Sequence, residues 1–294
     1  MGQLLDPDWP LTRPLLWLLL AAMLGLLVLR AVRSDRREYA RFKRYRSTRR
    51  RQELLWKWLR ESFLVFGGLA ALGLTLSWQQ VPPLLAELTA WPGISHARDW
   101  IAQNPGFGIG AATGVVIGLA ALTVLGLREA RKEGDLVAIG DIRALLPRNR
   151  QELRIGALLS LNAGLVEELL FRLAMPAMLL AASGSVVLAV AASVLVFGGL
   201  HAYQGLSGII GTTIVGAVMM AVLALTGTIL WPIVLHAAFN LRSLVLLPMA
   251  VFGAHRIDGR KQPFIPRQPK QDATDPVAEP DDAAGRSPST EPLV

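Results

Sequence analysis

Residues 155–182 form an apolar run long enough to cross a bilayer, since a spanning helix needs roughly 20 residues. Its centre reads Gly164-Leu-Val-Glu-Glu-Leu-Leu-Phe-Arg-Leu-Ala-Met-Pro176. Two carboxylates and a guanidinium therefore stand where each charge costs about 2.5–3.5 kcal/mol on insertion scales. Glu168 and Arg172 are four residues apart, so on a helix they share a face and can pair. Glu167 is rotated by about 100° from Glu168. It faces a different neighbour and has no partner on its own helix. An inter-helix polar clamp is the plainest reading of such an acid. A reactive carboxylate is the other.

Composition agrees with the membrane. The 294 residues are 52% hydrophobic, with a mean hydropathy of +0.42. This is too apolar for an ordinary soluble domain and predicts an all-α, polytopic helical membrane protein. With no cysteine in the chain, disulfides and thiolate chemistry are excluded. Any metal site would use His and carboxylate ligands.

Hydropathy predicts seven spans, near residues 14–29, 62–78, 106–127, 155–182, 186–200, 209–225 and 229–252. The first residues lack a basic n-region, so the first run reads as a retained anchor rather than a cleaved signal. With the N-terminus outside and the C-terminus inside, 26 of the 30 Lys and Arg fall in inside segments. That is a strong positive-inside bias. The expected organisation is a transmembrane helical domain over 1–252 and a disordered cytoplasmic tail over 253–294, where apolar periodicity ends. The localisation it implies is the cell (inner) membrane, multi-pass. A hidden span or a re-entrant segment within 81–100 would change the count.

The segment Arg30–Arg60 carries 13 Lys and Arg against three acids. Ordinary topology-setting charge is the preferred reading. The alternative is an amphipathic helix on the anionic inner leaflet, with Tyr39, Phe42, Tyr45, Trp56 and Trp58 as an interfacial belt. Arg30 itself is expected to snorkel. Nothing in the pattern matches a nucleic-acid-reading fold.

Two further motifs lie in the apolar runs. Phe197-Gly-Gly-Leu-His201 closes the fifth, and His236-Ala-Ala-Phe-Asn240 lies inside the seventh. Each pair is four apart and shares a helix face. Ala237 and Ala238 permit close helix approach. A lone buried His is more often a satisfied core residue than a catalyst. The set, however, has coherent chemistry. A carboxylate in a low-dielectric site accepts a proton more readily, so Glu167 beside an imidazole could activate water. A His N–H and an Asn amide could stabilise an oxyanion.

The three motifs, in this order, resemble the CPBP (Abi) family of intramembrane proteases, which includes CAAX prenyl proteases and bacteriocin-processing enzymes. The family pattern is Glu-Glu-x-x-x-Arg, Phe-x-x-x-His and His-x-x-x-Asn. Here it spans about residues 155–247. The resemblance implies a helical membrane protease of the glutamic type. Glu167 with His201 would activate water, and His236 with Asn240 would form the oxyanion hole. Glu168, Arg172 and Phe197 would support them. Leu173 departs from the glycine that many members carry there. No cofactor is implied. A zinc site on Glu167, His201 and His236 is the less favoured alternative.

The leading expectation is an intramembrane endopeptidase acting on a membrane-associated peptide or protein. The alternative is a non-enzymatic scaffold or immunity protein that keeps the polar cluster for packing. A transporter with Glu167 in a proton path ranks third.

Overall fold

The computed structural model describes residues 11–133 and 143–259. Among them every regular element is helical and no strand occurs. They fall within one compact unit, Met1–Lys261. The expected tail lies outside the described residues from 260 onward. Its first residues, 253–259, pack against the helices: Arg150 N donates to Ile257 O at 2.8 Å, and Gln52 Nε2 donates to Gly259 O.

In chain order the α-helices are α1 (Thr12–Arg30), α2 (Arg36–Phe42), α3 (Thr48–Ser62), α4 (Gly68–Ser77), α5 (Val81–Ala90), α6 (Pro92–Gln103) and α7 (Pro105–Glu133). There follow α8 (Arg150–Glu168), α9 (Met175–Ser183), α10 (Val186–Gly199), α11 (Gly205–Thr226), α12 (Leu230–Leu241) and α13 (Leu247–Phe252). Among the described residues four helical stretches are long and apolar enough to cross a membrane: Thr12–Phe42, Thr48–Ala90, Ala202–Thr226 and Leu230–Phe252. Val186–Gly199 is apolar but shorter. The structure thus gives the helical membrane class, while seven spans and their orientation remain inferences from hydropathy and charge.

Several of these rods are bundles of shorter helices joined without a break. Wide π-type turns over Leu169–Ala174 and Arg242–Leu246 join α8 to α9 and α12 to α13. Each ends two residues before a proline, Pro176 and Pro248. A proline inside a helix lacks an N–H and clashes with the carbonyl four residues back. The widened turn relieves that clash and keeps the rod continuous. Sharp ends are made by glycine. Gly184 and Gly227 take φ of 70°, and their N–H groups cap Leu180 O and Leu223 O.

The hub is α9. Met175 to Leu180 are all buried, as befits a helix that is apolar all round. Leu16, Leu20, Met23 and Leu27 of α1 pack into the same core, with Ala189 of α10 and Leu223 of α11. The stretch expected to be an outer connection is helical, and Val81, Leu84 and Leu88 of α5 join this core too.

The basic segment departs most from expectation. It folds as α2 and α3, and Tyr39, Phe42 and Leu55 form a second core with Ile155 of α8. Of the five aromatics that the interfacial alternative invoked, Tyr39 and Phe42 are buried and Trp56 is exposed. Arg30 is partly buried beside two acids. It lies 3.5 Å from Asp35 and 3.4 Å from Glu61. The segment is tied to α8 by a buried pair: Arg51 Nη2 meets Glu152 Oε2 at 3.1 Å. Arg51 also donates to Ala144 O and Leu146 O and lies 4.2 Å from the centre of the Phe42 ring. Asn149 caps α8 by accepting from Glu152 N at 3.0 Å, which holds the acid in place.

Candidate active site

The site begins where α8 and α12 nearly touch. A Cβ added to Gly164 would sit 2.8 Å from Ala237 Cβ and 2.9 Å from its backbone nitrogen. Only a residue without a side chain allows this approach. It sets His236 beside the turn of α8 that carries Glu167 and Glu168.

Three side chains then lock together. His236 Nδ1 is 2.7 Å from Glu168 Oε1, and both groups are buried. Glu168 Oε2 is 3.1 Å from Arg172 Nε, the i, i+4 pairing that the sequence predicts. The contact is an ion pair, since neither Glu168 Oε2 nor any of the three Arg172 nitrogens makes a hydrogen bond with protein. The guanidinium instead lies over the Phe197 ring, 4.5 Å from its centroid, where the ring quadrupole attracts it. Gly216 of α11 makes room for this stack, since a Cβ there would meet Phe197 Cδ1 at 2.9 Å.

Exposure separates the two carboxylates. The Glu168 side chain is fully buried, whereas that of Glu167 keeps 16% of its exposure. Glu168 is already engaged by a cation and an imidazole. Glu167 is the one that can meet water or substrate, and its Oε2 lies 4.0 Å from His236 Nε2. That is beyond hydrogen-bond range.

Phe197 organises the second imidazole. Its ring centroid is 5.0 Å from that of His201 and 6.1 Å from that of His236. His201 Nδ1 lies 2.9 Å from Phe197 O. A carbonyl only accepts, so Nδ1 carries the proton and the other ring nitrogen is bare in the neutral form. Tyr203 stacks 6.0 Å from His201 and 5.4 Å from Tyr39, which links the site to the helices of the basic segment.

Glu167, Glu168, Arg172, Phe197, His201 and His236 are therefore brought into one neighbourhood. Asn240 sits one turn along α12 from His236 and is partly buried; among the described contacts no hydrogen bond ties it to the others. Sequence reasoning missed the bond between Glu168 and His236 and the neighbour Tyr203. No within-helix spacing could have found them, because the partners come from different helices. Arg242 donates to Thr123 Oγ1 at 2.8 Å, away from the carboxylates. Among the described residues no three His, Asp or Glu side chains are grouped as a metal ion would need. An apolar cavity of about 430 Å³, lined by Leu88, Trp91, Val194 and Met220 among others, is not lined by any of these site residues.

Residues 149–242 match the family model for type II CAAX prenyl endopeptidase, Rce1-like. The match covers all three motifs and accords with the resemblance read from them. No curated protein and no solved structure matches the chain.

Proposed function

From residues 149–242, which carry the signature of the Rce1-like type II CAAX prenyl endopeptidases, we propose that this chain is an intramembrane endopeptidase. It hydrolyses a peptide bond in a membrane-associated peptide or protein, and a prenylated C-terminus is the first substrate class to try. Glu167 is the base that activates water, flanked by His201 and His236. His236 and Asn240 serve the oxyanion, and Glu168, Arg172 and Phe197 hold the imidazoles in place. No cofactor takes part. The protein resides in the cell membrane with seven spans, N-terminus out and C-terminus in. Its remaining partners are lipids, including the anionic inner leaflet that the exposed arginines of 30–60 would meet, and no nucleic acid.

The observation that carries this reading is a partly exposed carboxylate 4.0 Å from an imidazole whose other nitrogen is held by a buried carboxylate. A packing cluster would satisfy both acids internally. Here Glu168 is buried between His236 and Arg172, and Glu167 keeps 16% of its exposure. The decisive experiment is Glu167→Gln, which keeps the shape and removes the base. Full-length protein in proteoliposomes is offered a fluorogenic peptide ending in a farnesylated Cys-aliphatic-aliphatic-Xaa sequence, and a panel of unmodified membrane-anchored peptides. Cleavage by the wild type is expected to fall at least about 10²-fold in the variant, the lower end of what a general base contributes. Undiminished cleavage by Glu167→Gln ends the proposal.

A further inference from the structure

The contacts around His236 say more about the proton than the proposed roles require. Glu168 lies between Arg172 Nε at 3.1 Å and His236 Nδ1 at 2.7 Å. An ionised carboxylate has no proton to give. The short contact therefore needs the proton on Nδ1, and neutral His236 then has a bare Nε2. In that form it has no Nε2–H to offer an oxyanion. The nitrogen lies 4.0 Å from Glu167 Oε2. That separation suits one water oxygen touching both, at about 2.8 Å from each.

We propose that Glu168 is a positioning residue: it fixes the His236 proton on Nδ1 and so makes Nε2, together with Glu167, the proton-handling side of the site. This rests on the protease reading and refines it. The bridging water attacks the peptide carbonyl carbon as Glu167 takes its proton, and Glu167 hands that proton on to His236 Nε2. His236 becomes an imidazolium, and only then does its Nε2–H stabilise the oxyanion. When the C–N bond breaks, the electron pair leaves on the amine nitrogen, which takes that same proton. Water has then been added across the bond, OH to carbon and H to nitrogen, and both residues are restored. The charged groups that face His236 are Glu167 and Glu168 from α8 and Arg172 from the turn after it. The helix on its other side, α11, contains no ionisable residue.

The test reads the tautomer directly. The chain holds four histidines, so full-length protein with 15N-labelled histidine in detergent micelles gives four imidazole spin systems. Single His→Gln variants at 96, 201 and 255 assign them. At alkaline pH, His236 is expected to be protonated at Nδ1 and bare at Nε2. Glu168→Gln is expected to give a mixture of tautomers, to lower kcat on a cleaved peptide by about 10–100-fold as lost outer-shell partners do, and to displace the pH profile with KM nearly unchanged. Should Glu168→Gln leave Arg172 as a lone buried cation and fail to fold, Glu168→Gln combined with Arg172→Met removes both charges. The wild-type spectrum decides in any case. A proton on Nε2 with Nδ1 bare, protons on both nitrogens up to pH 9, or an unchanged tautomer in Glu168→Gln overturns the proposal. None of these readings needs a substrate, so failure here is distinct from full activity in Glu167→Gln.

Discussion

Gly164→Ala tests whether the close crossing of α8 and α12 sets the site. The added Cβ would lie 2.8 Å from Ala237 Cβ, 2.9 Å from its nitrogen and 3.0 Å from its Cα. Carbon atoms rest at about 3.5–4.0 Å. Two of the three obstructing atoms are backbone, so no rotamer change relieves the overlap. The helices must part by roughly 0.5–1 Å to restore contact distance. Overpacking of this kind costs about 1–3 kcal/mol. The better helix propensity of alanine returns about 1 kcal/mol. Net destabilisation is thus about 0–2 kcal/mol, small enough for a folded protein. The site fares worse. His236 precedes the displaced residue, and a shift of about 1 Å in a catalytic group can cost about 10²-fold in rate. The assay pairs thermal unfolding in detergent with peptide cleavage. Gly25→Ala, where an added Cβ meets nothing within 4 Å, serves as control. The expected result is a large loss of kcat in Gly164→Ala beside a modest shift in Tm, while the control keeps its kcat and has an unchanged or raised Tm, as the same helix propensity requires. Wild-type kcat in Gly164→Ala would show that the crossing distance does not govern His236.

Three shorter predictions follow from other parts of the molecule. Incubation of the purified protein with a strong chelator is expected to leave cleavage intact; loss on chelation with recovery on added zinc would reverse the metal-free mechanism. Arg51→Ala strands the buried Glu152 and is expected to cost about 3–5 kcal/mol, read as a lowered Tm. The double variant Arg51→Met with Glu152→Met should recover most of that, and an unaltered Tm in the single variant refutes the buried pair. Because the chain lacks cysteine, Asp99→Cys and Arg46→Cys report orientation cleanly. A membrane-impermeant maleimide should label the first in intact cells and the second only after permeabilisation; the reverse pattern inverts the topology.

The rods were legible because hydropathy is a local property, and so was the pairing of Glu168 with Arg172, which needs only helical spacing. What joins one rod to another was not. The bond from His236 to Glu168 crosses 68 residues of sequence. Spacing gives the face of each helix but not the helix it meets. The nearest sequence signal was the small residue: Gly164 and Ala237 mark the crossing, as Gly216 marks the seat of Phe197. The widened turns over Leu169–Ala174 and Arg242–Leu246 had a signal as well, since Pro176 and Pro248 each stand inside an apolar run; those over Ala31–Asp35 and Phe63–Gly67 have no such proline. The aromatics of the basic segment misled because Tyr and Trp at a membrane boundary have the same composition whether they face lipid or a second core.

That second core changes what the basic segment is for. Both of the most deeply buried ion pairs draw their acid from α8, Glu152 at its start and Glu168 at its end. Removing two charges from water is costly, and such a pair is weak grounds for stability alone. Its strength is geometric, because a bidentate or stacked guanidinium admits few alternatives. The pair at Glu168 orients an imidazole. The pair at Glu152 fixes α3 against α8, Phe42 and Tyr39 share the core beside it, and ring contacts run from Tyr39 through Tyr203 to His201. Thirteen basic residues in 30–60 would suffice to hold the segment inside; topology alone does not require burying Arg51. The burial is explained if the segment also forms a wall of the site, held by the same helix that carries Glu167.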